Sequence, residues 1–454
     1  MSNYQPLTLP TLKTKKIAIL GLAREGISTY TFIRQHLPEV ELTLIDQLPI
    51  SKLQPTFQQQ LASDPHQQFI QLLPNHDFDF DQFDLVFKSA GIPNHQYHIS
   101  PEKLTSNTQL FFDLVKGITI GVTGTKGKST TTSVIAQVLK SAGKKIELAG
   151  NIGLPLLEGL TENSAETFYV CELSSHQLEY LHTSPQIGVL QAIAPEHLDY
   201  YQNFAEYINA KASICKYQQK NDWLFFNADN REVNQLVSHS LAQKFPFGLK
   251  HHDRLDLHDQ EIWLDGEKFI SLPETKLRGL HNLLNLMPAI LIADQLKIDH
   301  TIIKTALTEF KPLEHRLELV ASLNGVEYFN DSLATNPPAT IAAIDAFAQQ
   351  PIILITGGFD RGLDYQTLSQ KIDSANIKKL IVFPDTGKKI IQNLTKRLDY
   401  VQTESMLSAV KLAADSAQKG DIVLMSPASA SFNLFIDYAD RGNQFKKAVK
   451  DLAI

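Results

Sequence analysis

Along this chain, short runs of continuous apolar residues alternate with stretches whose apolar positions recur every three or four residues. The first pattern predicts strands buried on both faces, the second predicts helices packed over them, and the alternation predicts parallel α/β domains. Three blocks show it. The first opens with Ile17-Ala18-Ile19-Leu20 and continues through Leu42-Thr43-Leu44-Ile45-Asp46 to Leu85-Val86-Phe87. The second contains Ile118-Thr119-Ile120-Gly121-Val122, Phe168-Tyr169-Val170-Cys171 and Ile187-Gly188-Val189-Leu190. Apolar runs broken by turn residues between Trp223 and Pro273 predict further strands outside its main sheet. The third carries Val326-Glu327-Tyr328-Phe329, Ile352-Ile353-Leu354-Ile355, Leu380-Ile381-Val382-Phe383 and Ile422-Val423-Leu424-Met425. At 454 residues the chain is long for one core. It divides into 1–109, a Rossmann-like domain; 110–310, a central phosphate-loop α/β domain; and 311–454, a second Rossmann-like domain.

The second block carries the strongest chemical signal, Thr123-Gly124-Thr125-Lys126-Gly127-Lys128-Ser129-Thr130. An apolar strand precedes it. Val134, Ile135, Val138 and Leu139 follow at helical spacing, with Gly143 as the stop. Glycines let backbone amides approach a nucleotide's phosphates at a helix N-terminus, Lys128 can reach the terminal phosphates, and the Ser129 or Thr130 hydroxyl can ligate magnesium. Val122 stands where the strict pattern has glycine, so the loop is a variant. In the first block, Gly21-Leu22-Ala23-Arg24-Glu25-Gly26 follows the opening strand and Asp46 ends the second, as in a dinucleotide fold. Ala23 replaces the middle glycine, which degrades the fingerprint and points to a nucleotide-like ligand other than NAD.

Bulk properties narrow the field. The composition, 43% hydrophobic and 20% charged, is that of an ordinary globular protein. A net charge of -7 gives no support to nonspecific nucleic-acid binding. No apolar stretch approaches a membrane span, and two cysteines are too few for a disulfide framework or zinc cluster. The expected location is the cytoplasm.

Ligands of open parallel sheets bind beyond the C-terminal strand ends. Glu172 lies there, placed either to hold magnesium or to cap the next helix. His197, in Ala194-Pro195-Glu196-His197-Leu198-Asp199, is a second candidate beside the phosphate loop. Lys211 reads as an ordinary solvated lysine. Asn282 and Asn285 share one helix face, an unusual place for asparagine without a specific partner, though helix capping explains Asn282 nearly as well. Arg316 reads as either a surface charge or an arginine that meets the γ-phosphate, and Asn330-Asp331-Ser332 suits either a turn or a ribose. Gly357-Gly358-Phe359-Asp360-Arg361-Gly362 and Ser426-Pro427-Ala428-Ser429-Ala430-Ser431-Phe432 follow two strands of the third block, where Arg361 and Ser431 would suit a carboxylate.

Taken together and in order, the phosphate loop, Gly150-Asn151-Ile152-Gly153, Glu172-Leu173-Ser174-Ser175, Glu196-His197-Leu198-Asp199, His281-Asn282, His315-Arg316, Asn330-Asp331-Ser332 and Ala334-Thr335-Asn336 resemble the Mur ligases. The ending through Ser431-Phe432, Tyr438 and Arg441-Gly442 resembles the members that add D-glutamate to UDP-N-acetylmuramoyl-L-alanine in peptidoglycan precursor synthesis. The resemblance implies a first domain that takes the UDP end of the substrate on Leu22, Ala23, Arg24, Asp46 and Gly91. It implies ATP on Gly124, Thr125, Lys126, Gly127, Lys128, Ser129 and Thr130, with Asn282, Arg316 and Asp331 contributing. It assigns two Mg2+ ions to Ser129, Glu172, His197 and a carbamylated Lys211, and catalysis to Lys128, Glu172, His197 and Lys211. Asn151 would contact the alanyl end, and Thr335, Arg361, Ser431 and Tyr438 would receive glutamate. The expected product is an amide formed through an acyl phosphate by a monomeric enzyme, with no nucleic-acid partner and no membrane insertion.

Lys126, Leu333 and Arg361 depart from the D-glutamate pattern, and Arg24-Glu25-Gly26 and Asp360-Arg361-Gly362 look like a branch that adds L-glutamate. That is the alternative reading. Folylpolyglutamate synthase is opposed by the roughly hundred residues before the phosphate loop. A noncatalytic nucleotide-binding regulator is opposed by the presence of Lys128, Glu172, His197 and Lys211, and a dehydrogenase by Ala23.

Overall fold

The computed structural model describes residues 4–197, 200–250 and 254–452. The Leu198-Asp199 half of the His197 motif therefore lies outside the described residues. The first block is a five-stranded, all-parallel sheet of β1 (Ile17–Leu20), β2 (Leu42–Asp46), β3 (Gln67–Gln71), β4 (Leu85–Lys88) and β5 (Leu104–Thr105), in the order β3-β2-β1-β4-β5. Its strands alternate as the pleat requires. Ile17 and Ile19 join one apolar cluster, and Ala18 and Leu20 join the cluster on the opposite face.

The central sheet comprises β6 (Ile118–Thr123), β7 (Ile146–Gly150), β8 (Phe168–Glu172), β9 (Ile187–Leu190), β10 (Trp223–Asn227) and β11 (Gln243–Phe247). Its order is β11-β10-β9-β6-β8-β7, again parallel throughout. The helix Lys128–Ser141 follows the phosphate loop and buries Val134, Ile135, Val138 and Leu139, the positions its spacing predicts. Gly143 ends it at φ 71°. The expectation that the strands between Trp223 and Pro273 lie outside the main sheet holds only in part. β10 and β11 extend that sheet beyond β9, because each pairs in parallel with its neighbour, and only β12 (Leu255–His258), β13 (Glu261–Leu264) and β14 (Glu267–Ser271) form a separate three-stranded sheet.

The third sheet holds β15 (Glu318–Leu323), β16 (Val326–Asn330), β17 (Ile352–Gly358), β18 (Ile377–Asp385), β19 (Tyr400–Gln402) and β20 (Ile422–Met425), ordered β15-β16-β20-β17-β18-β19. Ile352 and Leu354 pack to one side, and Ile353 and Ile355 to the other. One strand differs from the expected parallel pattern: β15 pairs antiparallel with β16 through a tight turn, as an edge strand joined by a short hairpin must. By internal packing, Met1–Ile270 with Leu284–Thr308 forms one compact unit, and Ser271–Leu283 with Glu309–Ile454 forms a second. No helix among the described residues is long and apolar enough to cross a membrane.

Candidate active site

The phosphate loop leaves β6 at its C-terminal end, in the middle of the central sheet. Two of its glycines are required by close packing. A Cβ on Gly124 (φ 150°) would stand 2.6 Å from Gln191 Cβ, and one on Gly127 (φ 85°) would stand 2.3 Å from Asn285 Oδ1. Gly127 is the N-cap of the helix that Lys128 begins, so the N-terminal amides of that helix lie at the loop. Lys128 Nζ donates to Gly124 O at 3.0 Å and Thr125 O at 2.9 Å. Thr125 is buried; its Oγ1 accepts the Ala194 amide at 2.9 Å and lies 3.0 Å from Tyr207 Oη. Lys126 is exposed, and Ser129 is half-buried.

Gly127→Ala combines a left-handed backbone with that overlap on Asn285. It is expected to destabilise the protein by about 1–2 kcal/mol from the backbone alone. A lowered denaturant midpoint at unchanged slope checks it, and an unchanged midpoint would contradict the loop packing described here.

Glu172 ends β8, paired with Val122 of β6 on one side and Gly150 of β7 on the other. It is 1% exposed. Its Oε1 accepts Asn151 Nδ2 at 2.8 Å, whereas its Oε2 is buried with no hydrogen-bond partner, as is the phosphate-loop hydroxyl Thr130 Oγ1. A buried carboxylate oxygen without a donor is costly, so the site calls for a cation or a donor from a ligand.

Lys211, expected as solvated, is 1% exposed at the end of the helix Phe204–Ala212. Its Nζ donates to Gly124 O at 2.9 Å and Thr123 Oγ1 at 3.3 Å, and lies 4.8 Å from the centre of the Tyr207 ring. Burial holds its pKa well below the ordinary lysine value. Lys128 pushes it in the same direction, and Glu196 and Glu172 oppose them. His197 follows β9 through a short loop and has a positive φ of 57°. Its Nε2 is 3.6 Å from Glu196 Oε2, and its ring meets those of His176 and Tyr207. Thus the phosphate loop, Glu172 and Lys211 are brought together, and Lys128 and Glu196 act electrostatically on the same lysine. Among the described residues no group of three or more His, Cys, Asp or Glu forms a metal cluster by itself, so any ion here also needs hydroxyl or phosphate oxygens.

In the first block, the carboxylate of Asp46 is already occupied by backbone. Leu22 N–H donates to Oδ2 at 2.6 Å and Leu48 N–H to Oδ1 at 2.8 Å. Asp46 therefore shapes the β1 and β2 loops. Ala23, Arg24 and Gly91 are exposed, Leu22 is buried, and Arg24 donates to Gly153 O.

In the second unit, Asp331 is likewise buried, with Ser426 Oγ donating at 2.7 Å and the Leu317 amide at 3.2 Å. Burial pushes its pKa up to about 7. Arg316 stands between His315 and Leu317, both at positive φ (64° and 43°). Asn282 donates to Arg278 O at 2.7 Å. Ser431 is buried, Thr335 half-buried, and Arg361 and Tyr438 exposed; the Arg361 guanidinium lies 5.3 Å from the Phe432 ring centre. Arg441, fully buried, fastens the Ser431 loop: its Nη1 donates to Ser429 O at 3.0 Å and Ala430 O at 3.2 Å, and its Nη2 to Ser332 O at 2.8 Å.

Sequence reasoning did not select Gln191, Tyr207 or Arg441 for these supporting roles. Gln191 directly follows a strand end, the one signal that could have found it. Asn285 was visible through its spacing from Asn282, and it is Asn285 that packs on the phosphate loop.

Models of known families match two parts of the chain: the Mur ligase middle domain over residues 122–293, and the Mur ligase glutamate ligase domain over residues 315–429. A UDP-N-acetylmuramoylalanine--D-glutamate ligase of Clostridium kluyveri is 35% identical over 391 residues, covering 82% of this chain and 84% of that protein. A protein of the same name from Clostridium botulinum (strain Okra) is 33% identical over 459 residues, covering 97% and 98%. Among solved structures, MurF ligase from Thermotoga maritima in complex with ADP has the same fold, with a TM-score of 0.62 over 97% of this chain and 99% of that one at 16% identity. Two family models in order, and relatives a third identical across most of both lengths, establish that the chain belongs to the Mur ligase family.

Proposed function

We propose that this chain is an ATP-dependent C–N ligase that joins D-glutamate to the L-alanyl carboxylate of UDP-N-acetylmuramoyl-L-alanine, in peptidoglycan precursor synthesis. The two Clostridium relatives carry that activity in their names. The observation in the molecule that supports it most is a phosphate loop backed by Glu172, with its unpartnered oxygen, and by the buried Lys211.

A carboxylate is a poor acyl donor at neutral pH. Its oxygen attacks the γ-phosphorus of ATP, the bond to ADP breaks, and the acyl phosphate forms. The loop amides and Lys128 bind and orient the phosphates, with Gly124, Thr125, Lys126, Gly127, Ser129 and Thr130 around them. Glu172, Ser129 and His197, with Lys211 once carbamylated, fit a divalent cation by their donor chemistry, and two magnesium ions bound there would offset charge on the transferring phosphoryl group. The amine of glutamate then attacks the acyl carbon, phosphate leaves, and an amide remains.

Lys211 fits this site only once its charge is changed. Burial, which lowers its pKa, favours the free amine, which attacks carbon dioxide; an N–C bond forms as one C=O π bond opens, the nitrogen gives one proton to solvent, and the neutral amine becomes a carbamate anion. Asn151, which already holds Glu172, faces the alanyl end of the substrate. Leu22, Ala23, Arg24 and Gly91 take the UDP end, and Asp46 keeps their loops in place. Thr335, Arg361, Ser431 and Tyr438 receive the glutamate carboxylates.

ADP release with UDP-N-acetylmuramoyl-L-alanine and ATP tests the proposal, run with D- and L-glutamate in parallel. Release dependent on D-glutamate is expected. Release with L-glutamate alone would move the chain to the other stereochemical branch, and release with neither would refute the ligase assignment.

A further inference from the structure

Lys88 is the last residue of β4 and stands opposite Leu20 of β1 in the parallel register. The chain places β2 and β3 on one side of β1 and returns with β4 on the other. Lys88 therefore marks the point where strand order reverses, the crevice in which doubly wound sheets take their ligands. It is 3% exposed, a rare place for a lysine unless its ammonium is held. Burial pushes its pKa down to about 8, while Glu179 and Glu25 pull it back up, so at neutral pH it remains mostly a cation.

The ammonium is held in a specific way. Nζ donates to Ile92 O, lies 3.4 Å from Tyr200 Oη, and sits 5.0 Å from the centre of the Tyr180 ring. Tyr200 Oη is in turn 3.0 Å from Ile92 O, 3.3 Å from Ala90 O and 3.1 Å from Glu179 Oε2. A phenol has one proton to give and lone pairs to accept the ammonium, so this oxygen ties the cation, the carboxylate and the two carbonyls into one junction. Glu25 completes it. Its Oε2 accepts the Ala90 amide at 3.2 Å, and its Oε1 accepts Gln177 Nε2 at 2.7 Å.

The object being held is the turn Ala90-Gly91-Ile92, which packs directly onto the loop after β1: a Cβ on Gly21 would stand 2.6 Å from Ile92 Cδ1. The holders Glu179, Gln177 and Tyr200 belong to the central block. Tyr200 also continues from the His197 segment, its amide donating to His197 O at 3.0 Å. One hydroxyl thus connects the turn at Gly91 with the backbone that presents His197.

We propose that Lys88 and Tyr200 are positioning residues that lock the Ala90–Ile92 turn to the His197 segment, and that this lock sets the affinity for the nucleotide-diphosphate sugar substrate and not for ATP. The inference rests on the function proposed above for that site. A lysine and tyrosine that served packing alone would change stability and leave the affinities for the substrates equally affected or untouched.

The full chain carrying Tyr200→Phe, Lys88→Met, Lys88→Arg or both Tyr200→Phe and Lys88→Met tests it, by varying each substrate in turn. Tyr200→Phe removes one oxygen and decides the matter if Lys88→Met does not fold. The expected result is a rise of about tenfold in KM for UDP-N-acetylmuramoyl-L-alanine, the size of one lost hydrogen bond to a charged network. KM for ATP and for D-glutamate stays within about twofold, Lys88→Arg recovers part of the loss, and the double variant loses less than the two single effects multiplied, because both act on one turn. Calorimetric titration with UDP-N-acetylmuramoyl-L-alanine, without ATP, shows the same weakening. Unchanged KM and binding in folded Tyr200→Phe, or an equal rise for ATP, overturns the inference. If the unsubstituted chain binds the nucleotide-sugar but forms no product, the ligase reading fails and the titration still decides the lock. If it does not bind the nucleotide-sugar, both fail.

Discussion

Lys211→Ala is expected to lose about 10³-fold in turnover, the scale of removing one group that stabilises charge in a transition state. Acetate or another short-chain carboxylate is expected to restore part of it. The reason lies in the position of the side chain. A lysine 1% exposed, with its amine against Gly124 O and with Lys128 depressing its pKa further, cannot carry a second positive charge beside the phosphate loop at low cost. As a carbamate it would add a negative charge to those of Glu196 and Glu172, and a small carboxylate entering the space left by Ala would supply the same charge. ADP release with and without added carboxylate measures this. Full activity in Lys211→Ala would remove the residue from the site.

Lys128→Met is expected to lose a comparable factor, about 10³, in phosphoryl transfer, because it deletes the ammonium at the helix start that would follow charge onto the terminal phosphates. It has a second consequence that a purely structural lysine would not have. Lys128 pushes the Lys211 pKa down, so its removal is expected to raise that pKa and to lower the share of Lys211 able to react with carbon dioxide. Carbon-13 bicarbonate labelling followed by NMR reads that share directly. Less carbamate in Lys128→Met at the same pH and bicarbonate concentration is the expected result; an unchanged signal would separate the two lysines.

The contrast between these two residues shows what the sequence carried and where it stopped. Lys128 is legible because its meaning is local. Gly127 caps a helix, an apolar strand precedes it, and four apolar positions follow at helical spacing, all within one short segment. The same locality made β1, β8, β17 and β20 readable, since strands buried on both faces are continuous apolar runs. Lys211 has no local mark. It sits in Tyr207-Ile208-Asn209-Ala210-Lys211 on an ordinary amphipathic helix, and only the packing of that helix against the loop after β6 buries it. Resemblance to a family supplied what spacing could not.

Asp46 and Asp331 teach the same lesson from the other side. Each ends a strand or follows one, where a ribose contact is plausible by position. In the folded chain each carboxylate accepts two hydrogen bonds from backbone amides or a serine hydroxyl, so each also holds its neighbouring loops in place. The edge strand β15 was not legible either, because its alternating, half-exposed residues make no continuous apolar run. Lys88, at the end of an otherwise apolar strand, was visible as a residue but its burial was not.

The central claim is that the alanyl carboxylate is activated as an acyl phosphate on the loop of Gly124 to Thr130. UDP-N-acetylmuramoyl-L-alanine labelled with oxygen-18 in that carboxylate tests it most directly. Activation by phosphoryl transfer predicts that one labelled oxygen leaves in the inorganic phosphate while the other stays in the new amide, with ADP as the nucleotide product. Labelled AMP with pyrophosphate, or phosphate free of label, would contradict the account.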